Sequence, residues 1–172
     1  MNPFRRISLD TGMSGTGYAI WDEMPWPGAT APLATGNIYP GEKTKGLQWM
    51  DRAISTCNGV KSLVDRVHPT HVYSEYPEFF AGDAIGYATA AKGDLQKLAF
   101  FCGMVCSYCI DRGIVWQNVF AREWKGQLPK HVVETRIKRL YTDASGNYAG
   151  PVITAHAWDA VGIGLYAKGV KL

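Results

Sequence analysis

The sequence predicts an α/β protein built on a mixed five-stranded sheet flanked by helices. Three features carry that expectation. Three short strand-like runs, separated by turn residues, occupy roughly the first forty positions. Beyond them, strand-like runs alternate with apolar-periodic helical stretches, the pattern of parallel crossovers. No internal repeat, low-complexity tract or linker breaks the 172 residues, a length that fits a single domain over 1–172.

The elements follow in order. Arg6-Ile7-Ser8-Leu9-Asp10 alternates apolar and polar residues and reads as the first strand. The Gly-rich turn Thr11–Gly17 leads into Tyr18-Ala19-Ile20-Trp21, which pairs back as a hairpin. Pro25, Pro27, Gly28 and Pro32 make 24–32 a loop, and Thr35–Tyr39 is the third strand, ended by Pro40-Gly41. From about Thr44 to Val67, the apolar set Leu47, Met50, Ile54, Val60, Leu63, Val64 and Val67 fits a helix, with Gly59 as its weak point. His71–Glu75 is a short strand stopped by Pro77, and 78–86 is a loop carrying Phe79 and Phe80. A long helix starts near Thr89 or Asp94 and runs to Asp111, before Gly113. Ile114–Val119 is the fifth strand and 120–128 is irregular. Pro129 suits the first turn of a helix running to about Tyr141. Asp143–Gly150 is turn-rich, and Thr154 is placed to N-cap a last helix over 155–168.

Composition excludes several classes. With 47% hydrophobic and 19% charged residues the chain is neither disordered nor fibrous. No run of about 18 apolar residues is present, so no membrane partner is expected. The opening Met1–Arg6 leads into an apolar run broken by Asp10, which does not read as a signal peptide; the expected location is cytoplasmic. The net charge of +3 is unevenly spread: 122–139 holds Arg122, Lys125, Lys130, Arg136, Lys138 and Arg139 against Glu123 and Glu134. That segment nets +4 and leaves −1 for the rest, which suggests a polyanion touching one face, although a solvated helix face would look similar. Cys102, Cys106 and Cys109 fall on one helical stripe and read as small hydrophobes, since paired C-x-x-C sets are absent.

Four residues carry potential chemistry. Asp10 ends a strand beside the Gly-rich turn, where an Asx-turn would explain it equally well. Glu75 ends another strand, and a carboxylate there is either solvated, paired or metal-bound. His156 and Asp159 stand three apart, on one face of an otherwise apolar helix. A first-turn acid complementing the helix dipole explains Asp159 in part and His156 hardly at all. If that helix lies across the first and fourth strands, the four groups converge. Clustered carboxylates need cations, and hard oxygen donors with an open site suit Mg2+ or Mn2+. Two such ions about 4 Å apart could activate water and stabilise the leaving oxygen of a phosphodiester.

The motifs resemble those of the RuvC-like Holliday junction resolvases, of the RNase H-like nuclease superfamily. The matching stretches are Ile7-Ser8-Leu9-Asp10-Thr11-Gly12 with Thr16–Ile20, Glu75 before an aromatic loop, Gly93–Leu98 entering a long apolar helix, and Ala155–Gly164. Trp124-Lys125-Gly126-Gln127-Leu128-Pro129-Lys130 is similar to phage-type members. The resemblance spans nearly the whole chain in order. It implies an RNase H-like fold and metal-binding acids at Asp10, Glu75 and Asp159. His156 falls where many members carry a fourth acid, so it would be a ligand, a base or a leaving-group acid. Lys125 and Lys130, with Arg122 nearby, match basic positions holding DNA phosphates. Phe79 or Phe80 matches an aromatic that stacks on unpaired bases, with packing under the loop as the alternative.

The expected activity is therefore a structure-selective DNA endonuclease that uses two Mg2+ or Mn2+ ions. A homodimer would nick paired strands of a four-way junction, giving 5′-phosphate and 3′-hydroxyl ends. The apolar helix 95–111 has surface for both core and dimer contact. The alternatives are another RNase H-like nuclease, acting on branched DNA or RNA–DNA hybrids, and a non-catalytic junction-binding module. A kinase or ATPase reading of Asp10-Thr11-Gly12 fails on length, because such folds need two domains.

Overall fold

The computed structural model describes residues 4–12, 14–22, 31–42, 45–46, 48–78, 93–151, 153–154 and 156–172. Among these, the elements in chain order are β1 (Arg5–Asp10), β2 (Thr16–Asp22), β3 (Ala34–Ile38), α1 (Trp49–Val67), β4 (His71–Tyr76), α2 (Asp94–Ile110), β5 (Val115–Phe120), the single turn α3 (Ala121–Trp124), α4 (Lys130–Leu140) and α5 (Ala157–Ala167). The five described strands form one sheet in the order β3-β2-β1-β4-β5. β1 pairs antiparallel with β2 and β2 antiparallel with β3, while β1–β4 and β4–β5 are parallel. No described helix is long and apolar enough to cross a membrane.

Alternation along the strands divides the apolar residues between two layers. Ile7, Leu9, Ile20 and Val72 face α1 and α2, where Val60, Val64, Phe101, Val105 and the buried Cys57, Cys102 and Cys109 complete one core. Ala19, Trp21, Tyr73 and Val119 face the other way, onto Val133, Ile137, Val161, Ile163 and Leu165 of α4 and α5. Ser8 points into this second layer, and its hydroxyl accepts from Trp21 Nε1 at 2.8 Å, satisfying a buried indole N–H. The cysteine stripe is packed as expected, with Cys106 half-buried; burial pushes the Cys102 thiol up to about 11 and that of Cys109 to about 12.

Several boundaries differ from the sequence expectation. α1 is described only from Trp49, not Thr44, and Ile54 is 44% exposed rather than core. Gly59 is no weak point: a Cβ there would strike Ile38 Cγ2, so the glycine lets β3 approach an unbroken helix. The stretch 120–128 contains a helical turn, 121–124, closed by Phe120 N donating to Glu123 Oε2 at 2.8 Å. Thr154 does not cap α5. Its hydroxyl accepts from Asn37 Nδ2 of β3 at 2.6 Å, and His156 occupies the N-cap position instead.

Candidate active site

Strand register sets the site. Leu9 lies opposite Ser74 in the parallel β1–β4 pair, so the next residues, Asp10 and Glu75, emerge side by side at the carboxyl ends of adjacent strands. Such ends are where open α/β sheets place their chemistry. Thr11 ties the two strand exits together, its hydroxyl donating to the Glu75 carbonyl at 3.0 Å.

α5 packs across β1 and β2 and delivers the other two groups. Its start lies so close to β2 that a Cβ on Gly17 would land on the carbonyl of His156. Gly15 is similarly constrained, with Tyr39 Cε1 2.9 Å from the position of a Cβ. Gly15 and Gly17 therefore allow the close approach of Tyr39 and α5, while Gly12 makes room for the Gly15 carbonyl within the turn. His156 Nδ1 comes to 3.8 Å from Asp10 Oδ2, and Tyr39 sets its ring edge-on to the imidazole with centroids 6.4 Å apart.

The electrostatics are those of an acid cluster short of cations. Asp10, with its side chain 20% exposed, has its carboxyl pushed up to about 7, first by burial and then by the charges of Asp159 and Glu75; Lys125 and Lys130 pull the other way. Lys125 Nζ sits 3.2 Å from Glu75 Oε2, and Lys130 Nζ sits 3.8 Å from Asp159 Oδ2. Lys130 opens α4, where a cation opposes the dipole; the anion that offsets it is the Asp159 carboxylate. Arg122 is 67% exposed and pairs with Glu78 at 3.4 Å. Phe79 and Phe80 lie outside the described residues.

Four of the sequence-predicted residues lie toward the carboxyl ends of the central strands: Asp10 beside His156, with Glu75 and Asp159 close enough to raise its affinity for a proton. Among the described residues, however, no three carboxylate, imidazole or thiol groups are drawn tightly enough together to hold an ion as they stand. The donor set still fits a divalent cation. Three carboxylates lie near one another, burial and its two acidic neighbours make ionisation of Asp10 costly, and two ammonium groups stand in as partial counter-charges. Asp10, Glu75 and Asp159 would hold such an ion through oxygen, and His156 through nitrogen.

Sequence reasoning gave no role to Trp124, whose Nε1 donates to Glu75 Oε2 at 3.0 Å, nor to Tyr39 or Glu78. The only prior signal for Trp124 was its place beside Lys125.

The half-exposed His156 yields a test. Removing the imidazole with Ala is expected to lower single-turnover cleavage by at least about 100-fold, the range for positioned acid–base groups, with little change in melting temperature. His156→Asp, which restores a fourth carboxylate, is expected to retain activity. A lowered melting temperature with an unchanged rate per folded molecule would instead make His156 a packing residue.

No protein-family model matches the chain, and no curated protein matches it in sequence. Among solved structures it is similar to that of Thermus thermophilus RuvC, with a TM-score of 0.64 at 16% identity over 96% of each chain. It is equally similar to T. thermophilus RuvC in complex with a Holliday junction substrate, with a TM-score of 0.63 at 15% identity over 96% of each chain. At such identities the likeness is one of fold, and over nearly its whole length this chain has the RNase H-like fold of RuvC.

Proposed function

We propose that the protein is a divalent-metal-dependent endonuclease that resolves four-way DNA junctions, of the phage-type group that the Trp124–Lys130 stretch resembles. One observation carries this reading: Asp10 and Glu75 leave adjacent parallel strands together, and α5 brings His156 and Asp159 over them, within a RuvC-like fold. The solved RuvC complex holds a Holliday junction substrate, which supports branched DNA as the ligand class.

Mg2+ or Mn2+, as two ions at the site, would supply charge stabilisation and acidify the attacking water. The chain's own groups do the rest. Asp10, Glu75 and Asp159 provide oxygen donors on three separate elements, so the scissile phosphate would be approached from the carboxyl ends of the central strands. His156, at the rim, is placed to hold a proton at Nδ1 against ionised Asp10 or to pass it on. Lys125 and Lys130 lie beside the carboxylates and can turn to phosphate once the carboxylates are otherwise neutralised; Arg122 extends the same basic surface. Water attacks in line and leaves a 5′-phosphate and a 3′-hydroxyl. A homodimer suits a junction with two related scissile strands, and on α2 Phe100 at 48% and Ile110 at 60% exposure leave apolar surface for a second copy.

The substrate class is tested by comparing four-way junctions, flaps, three-way branches and RNA–DNA hybrids at equal concentration. Paired nicking of the four-way junction in preference to the others is expected; preference for hybrids or flaps would reassign the enzyme within the same fold. The phosphate role is tested by salt titration of junction binding. Lys125→Ala and Lys130→Ala are each expected to flatten the log–log slope by roughly 0.7–0.9. An unchanged slope in both would confine the lysines to neutralising Glu75 and Asp159.

A further inference from the structure

We propose that Trp124 is a positioning residue, whose indole N–H fixes the Glu75 carboxylate so that Oε1 is left for a divalent cation. The inference rests on the reading of Glu75 as a metal ligand. Glu75 projects from the end of a strand, where a glutamate has three side-chain torsions to lose before it can ligate. Two donors remove that freedom here. Trp124 Nε1 lies 3.0 Å and Lys125 Nζ 3.2 Å from the same oxygen, Oε2. Both hydrogen bonds that reach the carboxylate from the described residues converge on that atom and leave Oε1 without one.

The indole is itself held. Glu75 stands opposite Val119 and Tyr76 opposite Phe120 in the parallel β4–β5 pair, so the turn 121–124 begins beside the carboxylate it serves. Glu123 closes that turn onto Phe120 N, and Trp124 is 4% exposed. Its six-membered ring lies on Gly162 of α5, where a Cβ would come within 2.9 Å of Cε3 and closer still to Cζ3. Lys125 Nζ sits 4.7 Å from the ring centroid, so the two donors also steady one another. Gly162 lies one turn beyond Asp159 on the same helix. That packing contact, within the core shared with Trp158 and Val161, links the helix carrying Asp159 to the indole orienting Glu75. A buried indole N–H needs an acceptor, and the acceptor here is a carboxylate on a strand 49 positions earlier rather than a neutral group such as the Ser8 hydroxyl that serves Trp21. Groups hydrogen-bonded to metal ligands in this way typically alter metal affinity by 10–100-fold.

The test isolates the N–H from the packing. Trp124 is replaced by β-(3-benzothienyl)alanine, in which sulfur takes the place of the N–H within nearly the same shape. Mn2+ binding without DNA is followed by electron paramagnetic resonance, alongside the melting temperature. The expected result is Mn2+ affinity weakened about 10-fold, with melting little changed. Trp124→Phe is expected to show the same loss, together with a lower melting temperature from the emptied space. Gly162→Ala, which keeps the N–H but displaces the ring, is expected to weaken Mn2+ as well. Mn2+ affinity within twofold of wild type for the isostere would overturn the positioning role while leaving the metal site standing. Failure of the wild-type protein to bind Mn2+ at all would overturn the metal site, and this proposal with it.

Discussion

Asp10→Asn is expected to make the metal-free protein more stable at pH 8 while eliminating cleavage. Burial and two neighbouring carboxylates push the Asp10 carboxyl from its ordinary 3.8 up to about 7, so its ionised form is the disfavoured one in the folded chain. The sign follows from linkage. Below about pH 4 the group is protonated in both folded and unfolded chains, and its contribution to stability is fully present. Between pH 4 and 7 the folded chain retains a proton that the unfolded chain has lost, so stability falls as pH rises. The total loss is on the order of 4 kcal/mol, and asparagine, which never ionises, escapes it. Denaturant unfolding in EDTA should therefore show wild type and Asp10→Asn nearly equal at pH 4 and diverging to pH 7–8. Adding Mg2+ at pH 8 should restore much of the difference to wild type and none to the variant. Parallel pH profiles for the two proteins would mean that Asp10 is not under electrostatic strain.

The second large effect is expected at Gly17. A methyl group there would fall on the His156 carbonyl and lie 2.9 Å from Ala157 N, and both are backbone atoms that cannot turn aside. Overpacking of this kind costs about 1–3 kcal/mol, with more where the obstacle is a helix start held by its own core. Gly17→Ala should lose that stability and also lift His156 and Asp159 away from Asp10, so cleavage per folded molecule falls too. Gly103→Ala is the matched control. That glycine sits within α2 with open space around a Cβ, and the change should add up to about 1 kcal/mol through helix propensity. Normal activity in refolded Gly17→Ala would show that the close approach is not what positions α5.

The contrast between these glycines shows what a sequence discloses. Strand periodicity in 6–10 and 18–21, and the later alternation of strands with helices, were sufficient for the sheet, because burial on two faces imposes a period of two whatever the neighbours are. The acids were visible because a carboxylate on an apolar strand or helix demands a reason. What joins them was not visible. The side-by-side exit of Asp10 and Glu75 depends on the β1–β4 register, and the Thr154 hydroxyl is claimed by Asn37, 117 positions away, rather than by the helix it precedes. The turn at 121–124 was hidden because four residues are too few to show a helical period, and its order comes from tertiary contact of Trp124 with Gly162 and Glu75. Long-range partners of that kind leave no local period in the sequence.

The proposed role of Asp10, Glu75, His156 and Asp159 is a metal-dependent site for cutting branched DNA. Single-turnover cleavage of a mobile four-way junction in Mg2+, with each strand end-labelled, tests it most directly. Paired nicks on opposing strands with 5′-phosphate ends are expected from the wild-type protein. Asp10→Asn, Glu75→Gln and Asp159→Asn are each expected to retain junction binding without cleavage. Wild-type cleavage rates in any of the three variants, or an intact junction after prolonged incubation of the folded wild-type protein with Mg2+ and with Mn2+, would contradict it.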